Sequence, residues 1–106
     1  MVELHNIYKQ LPDDLGEEIF ETLVQSNSVK IERIISMGHK SPDSGWYDQE
    51  QNEWVLVLKG SASISFENEE VVDLKEGDYI NLPAHLKHRV ISTSPATETI
   101  WLAIFY

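Results

Sequence analysis

Two short stretches of this sequence gather side chains able to hold a metal or move a proton. The first is Trp46-Tyr47-Asp48-Gln49-Glu50-Gln51-Asn52-Glu53, which runs straight into an apolar stretch. The second is Gly77-Asp78-Tyr79-Ile80-Asn81-Leu82-Pro83-Ala84-His85-Leu86-Lys87-His88, with two of the chain's four histidines three residues apart. Glu53 is in step with Val55 and Val57, so its carboxylate points either into the interior or, at an open strand end, to water. A buried carboxylate is costly unless it is paired, hydrogen-bonded or bound to a metal. His88 shares a face with Val90 and Ser92, opposite Arg89 and Ile91. A lone histidine of this kind usually orders its surroundings. Two beside a buried carboxylate point further, because neutral imidazole is a common metal ligand.

The elements that must position these residues read as strands. Val29, Ile31, Arg33 and Ile35 alternate with Lys30, Glu32, Ile34 and Ser36, and EWVLVLKG (53–60) is the strongest strand pattern in the chain. Ala62, Ile64 and Phe66 alternate with serines in SASISFE (61–67), with Gly60 as a hairpin turn. VVDL (71–74), YINLP (79–83) and RVIST (89–93) follow. The nearly continuous apolar run TIWLAIFY (99–106) suits a buried strand. Turn signals fall at SNS (26–28), MGHKSPDSG (37–45), NEE (68–70), KEGD (75–78) and SPATE (94–98). GEEIFETLV (16–24) is too short for periodicity to decide between a helical turn and a strand. Seven or more short strands without a long helix predict an all-β sandwich or barrel. One domain spans 1–106, with 1–25 as an N-terminal lead-in and 26–106 as the barrel.

Composition narrows the function classes. The chain has 106 residues, 18 acidic against 8 basic, for a formal charge of -10. Binding nucleic acid needs clustered Lys and Arg, so no nucleic acid partner is expected, and no anionic membrane surface. With no cysteine, thiolate metal sites, disulfides and thiol nucleophiles are excluded. The missing disulfides and the absence of a signal-peptide pattern in MVELHNIYKQ lead to an expected cytoplasmic location.

Glu53-x6-Gly60, followed after 16 residues by Gly77-x5-Pro83-x4-His88, resembles the two-motif signature of the cupins. Their first motif reads G-x5-H-x-H-x3-4-E-x6-G and their second G-x5-P-x-G-x2-H-x3-N. The run WYDQ…EWVLVLKG…GDYINLPAHLKHRV resembles small single-domain bacterial cupins in particular. The resemblance implies a jelly-roll β-barrel, or double-stranded β-helix, with a metal held at its mouth by three His and one Glu. Glu53 falls on the Glu ligand and His88 on the second-motif His. The two first-motif histidines fall on Trp46 and Asp48, or on Tyr47 and Gln49 with the shorter spacing. His85 stands at the second-motif glycine and Ser92 at its asparagine.

Asp48, Glu53, His85 and His88 would together offer two oxygens and two nitrogens, a set that suits Zn, Mn, Fe or Ni. His39, Gln49 and Glu50 are reserve donors. The plainer alternative is that His85 orders its loop, Asp48 caps a turn and the pocket holds no divalent metal. Trp46, Tyr47 and Gln49 are expected to line a ligand pocket. Trp54 and Trp101 are expected in the core or at an interface, and Arg89 in a surface ion pair. Two functions follow. One is a metal-dependent enzyme of oxygenase, isomerase or lyase type acting on a small organic substrate. The other is a non-catalytic small-molecule binding or sensing domain that has lost the usual metal site. The resemblance also implies a homodimer.

Overall fold

The computed structural model describes residues 2–106 and is all-β, with eight strands among them. These are β1 Ile19–Gln25, β2 Lys30–Ser36, β3 Glu53–Lys59, β4 Ser61–Phe66, β5 Val71–Lys75, β6 Tyr79–Leu82, β7 His88–Thr93 and β8 Thr99–Phe105. They form two antiparallel sheets, one ordered β1-β2-β8-β3-β6 and the other β5-β4-β7. No helix among the described residues is long and apolar enough to cross a membrane.

The alternation seen in the sequence sets the two faces. In β3, Glu53, Val55 and Val57 are buried while Trp54 and Leu56 are half-buried on the other side. Register then aligns inward residues across the large sheet: Val55 sits opposite Ala103 and Ile80, and Ile34 opposite Trp101. Ala62, Ile64 and Phe66 of β4 face them from the smaller sheet and complete one core. The apolar β8 is interior to its sheet, paired on both edges, by β2 and by β3. Its outer face is buried at Ile100 but only half-buried at Leu102 and Ile104, so its weak alternation leaves apolar side chains partly open on the outside of the sheet.

β2 is covered on both faces as well. Ile34 packs inward, whereas Ile35 and Arg33 are buried on the outer face. Arg33 donates to the carbonyls of Ile7 (3.1 Å), Lys9 (2.7 Å) and Gln10 (3.3 Å), and to Glu21 at 2.6 Å. The lead-in is thereby tied across the outside of β2. Residues 19–25, undecided from the sequence, form an edge strand against β2, with a bulge between Thr22 and Val24.

Gly60 differs from expectation. β3 and β4 lie in different sheets, so the chain does not form a hairpin there but bends from one sheet to the other. Gly60 has φ of 88°, and a Cβ at this position would lie 2.8 Å from the Thr99 Cα. Both the left-handed backbone and this close approach require glycine.

Candidate functional site

The inner faces of the two sheets enclose a cavity of about 130 Å³ that opens to solvent. Ile34, Val55, Ile64, Leu82 and Val90 give it apolar walls, with Trp101 and Phe105 supplying aromatic surface. Its polar lining comes from Glu18, Tyr47, Gln49, Glu53 and His88.

Glu53 opens β3 and pairs in register with Leu82 and Phe105; His88 opens β7 opposite Phe66. Both are buried, at 8% and 5% exposure. His88 Nδ1–H donates to the Leu86 carbonyl at 2.8 Å, which fixes the ring and turns Nε2 towards Glu53. The distance from Nε2 to Glu53 Oε1 is 3.6 Å, within ion-pair range but too long for a hydrogen bond. Burial by itself would lower the His88 pKa. The pull of the Glu53 carboxylate and the bond to Leu86 outweigh it and hold the imidazole above its ordinary value of 6.5.

Asp48 and His85 form a second pair, outside the cavity lining. His85 Nδ1 lies 2.8 Å from Asp48 Oδ1, and their side chains are 66% and 42% exposed. The two loops that carry them are also joined by backbone: His85 N donates to Gln49 O at 2.8 Å, and Tyr47 exchanges bonds with His88 at 2.8 and 3.2 Å. His85 has φ of 66°, a left-handed backbone at the position where the resembling motif carries glycine.

The four expected donors thus come as two separate pairs. A stable transition-metal site takes three or four protein ligands. Among the described residues no group of three or more His, Cys, Asp or Glu is placed to share an ion. In this arrangement the residues do not fit a metal centre: Glu53 and His88 offer two donors, and Asp48 and His85 are engaged with each other. Of the reserve donors, His39 Nδ1 accepts from Met37 N at 2.9 Å in the loop after β2, and Glu50 is exposed.

Tyr47 and Gln49 lie on the cavity wall, the Tyr47 ring 5.8 Å from that of His88. Trp46 instead lies under the Arg89 guanidinium, 4.3 Å from ring centroid to Cζ, beside a shallow surface groove. Arg89 does not form the expected ion pair: it donates to the carbonyls of Asp43 (2.9 Å) and Gly45 (3.4 Å). Trp101 is both core and cavity wall, while Trp54 stacks on Tyr79 across the outer face at 5.2 Å.

The sequence reading did not include Glu18. It precedes β1, in step with Phe20, and both line the cavity. Its carboxylate accepts a hydrogen bond from Ser36 Oγ, which in turn accepts from Trp101 Nε1–H at 3.2 Å. The i, i+2 spacing of Glu18 and Phe20 was the available signal, had the segment been read as a strand.

A family model for the cupin domain matches residues 34–105. A solved structure from Ralstonia eutropha JMP134, described as that of a candidate mannose-6-phosphate isomerase, is 40% identical with a TM-score of 0.93, covering 98% of this chain and 97% of that one. A cupin superfamily protein of Desulfitobacterium hafniense DCB-2 is 22% identical with a TM-score of 0.74, over 90% and 82% of the two chains. An rmlc-like cupin family protein of Methanocaldococcus jannaschii, with a double-stranded beta-helix fold, is 19% identical with a TM-score of 0.71, over 99% and 91%. The last two bear on the fold alone. No curated protein matches the chain.

Proposed function

The chain belongs to the cupin family, and from that premise we propose that it binds a small organic molecule in its barrel cavity, anchored on the Glu53–His88 pair without a resident metal. One observation carries this reading. Glu53 is 8% exposed, yet among the described residues it accepts no hydrogen bond, with His88 Nε2 its ion-pair partner at 3.6 Å. The carboxylate lines the cavity and keeps acceptor positions open towards it. In an open, apolar-walled cavity, a ligand donor is the natural partner. Tyr47 and Gln49 at the wall supply further polar contacts, and the apolar walls supply affinity.

A second reading, acid–base isomerisation, is favoured by the same pair. The raised imidazolium can donate a proton from Nε2 and the facing carboxylate can accept one, the division of labour that proton transfer between neighbouring carbons requires. The description of the R. eutropha relative agrees with an isomerase. A sugar phosphate is less well supported, because no Lys or Arg is among the residues lining the cavity.

We also propose a homodimer through the outer face of the large sheet, where Trp54, Leu56, Leu102 and Ile104 are half-buried and Tyr79 is exposed. Sedimentation at the monomer mass would contradict it.

Metal analysis and fragment binding on the purified protein test the main proposal. Substoichiometric metal, together with fragments that shift the NMR signals of His88 and Trp101, is the expected result. A full equivalent of metal that His88→Ala releases would replace it with the metal-dependent enzyme.

A further inference from the structure

We propose that the cavity selects a small cation: an amine on an apolar body of about one ring, with anions turned away. The inference rests on the cavity being a ligand site, as argued above. Glu53 is a largely buried carboxylate, its side chain 11% exposed, which lines the cavity with His88 Nε2 as its ion-pair partner at 3.6 Å. Glu18 is a second carboxylate on the lining, oriented by Ser36 and through it by Trp101. Two carboxylates against the one imidazolium of His88 leave the lining net negative.

The chain's cations do not correct this. Arg33 is held on the outer face by three lead-in carbonyls and Glu21. Arg89 serves the 43–45 loop and Trp46. Lys30 Nζ lies 4.9 Å from the ring centroid of Phe105, a cavity-wall residue, but Glu32 matches its charge at 3.3 Å. The charge of -10 over the whole chain adds a field that concentrates cations and repels anions. Trp101, Phe105 and Tyr47 present aromatic surface to the same space, which favours an ammonium group beside a ring. The volume of about 130 Å³ sets the size of the buried part. Engineered apolar cavities of roughly 150 Å³ take one benzene.

The test uses three probes of one shape: benzylamine, benzyl alcohol and benzoate, titrated at neutral pH. The readouts are the indole signal of Trp101, identified by its loss in Trp101→Phe, and the ring signals of His88. Benzylamine is expected to bind at least about tenfold tighter than the alcohol, since it adds a full opposite charge to the hydrogen bond that either donor makes to the carboxylate, with no benzoate binding. Glu53→Gln should remove the preference for amine over alcohol, and an unshifted Trp101 indole signal in the free variant reports that the cavity is intact. Glu18→Gln should weaken the preference by a smaller factor. Benzoate binding as tight as benzylamine, or an amine preference untouched by both variants, overturns the charge selectivity and leaves the cavity reading standing. No shift of Trp101 or His88 with any probe overturns the cavity reading, and this inference with it.

Discussion

Two histidine–carboxylate pairs stand on neighbouring loops and strand ends of this barrel, and the environment makes them different objects. Glu53 and His88 face each other on the wall of the cavity, with side chains 11% and 6% exposed. Asp48 and His85 touch more closely, at 2.8 Å against 3.6 Å, but in water. Distance alone would rank the exposed pair as the stronger. Burial reverses that order, because screening by solvent leaves a surface ion pair worth little, whereas a buried charge without its partner is expensive. The His88 imidazole is raised above its ordinary value by its surroundings.

The largest effect should come from leaving Glu53 without its counter-charge. His88→Ala is expected to destabilise the fold by about 2–4 kcal/mol at pH 6, combining an unpaired buried carboxylate with lost packing. Urea unfolding measures this, and a cost near zero would place the pair in water after all. The pH dependence comes next. The His88 pKa is raised in the folded state, so its contribution is fully present below the unfolded value of 6.5 and is lost as pH rises through the higher folded value. Unfolding free energy should therefore fall with rising pH above 6.5. Glu53→Gln should flatten that slope, while Asp48→Asn should leave it unchanged.

A smaller effect of opposite sign is expected from the exposed pair. His85→Gly removes a side chain from a left-handed backbone at φ 66°, and should stabilise by up to about 1 kcal/mol despite losing the ion pair. The smallest belongs to Asp48→Asn, within about 0.5 kcal/mol of the parent in thermal unfolding. A larger loss there would mean that the exposed pair holds the loops over the cavity, and the contrast between the pairs would shrink.

Alternation made most of the fold legible. β3 and β4 were readable because apolar residues recur with a period of two, and β8 because its apolar run is nearly unbroken. The Glu53 carboxylate was traceable through its step with Val55 and Val57. The spacing of His85 and His88, one in a loop and one at the start of β7, contains no information about facing, and the structure turns one outward to Asp48 and the other inward to Glu53. β1 was undecided because its seven residues leave most side chains exposed, a consequence of lying at the sheet edge. Glu18 was missed for the same reason. Gly60 carried a turn signal, but composition does not say whether a turn pairs its flanking strands or sends them to different sheets; the proximity of Thr99, some forty residues later, decides that.

The place of β8 has a consequence for how the chain is made. It is the last strand of the eight in sequence, yet it is flanked on both sides, bridging β2 and β3 in the large sheet. On the ribosome, β2 and β3 must wait with open edges until residues 99–105 emerge, and the cavity wall formed by Trp101 and Phe105 arrives with them. Closure is thus governed by the most sequence-distant pairings, the slow kind, and the waiting edges are the surfaces most exposed to mispairing with other chains.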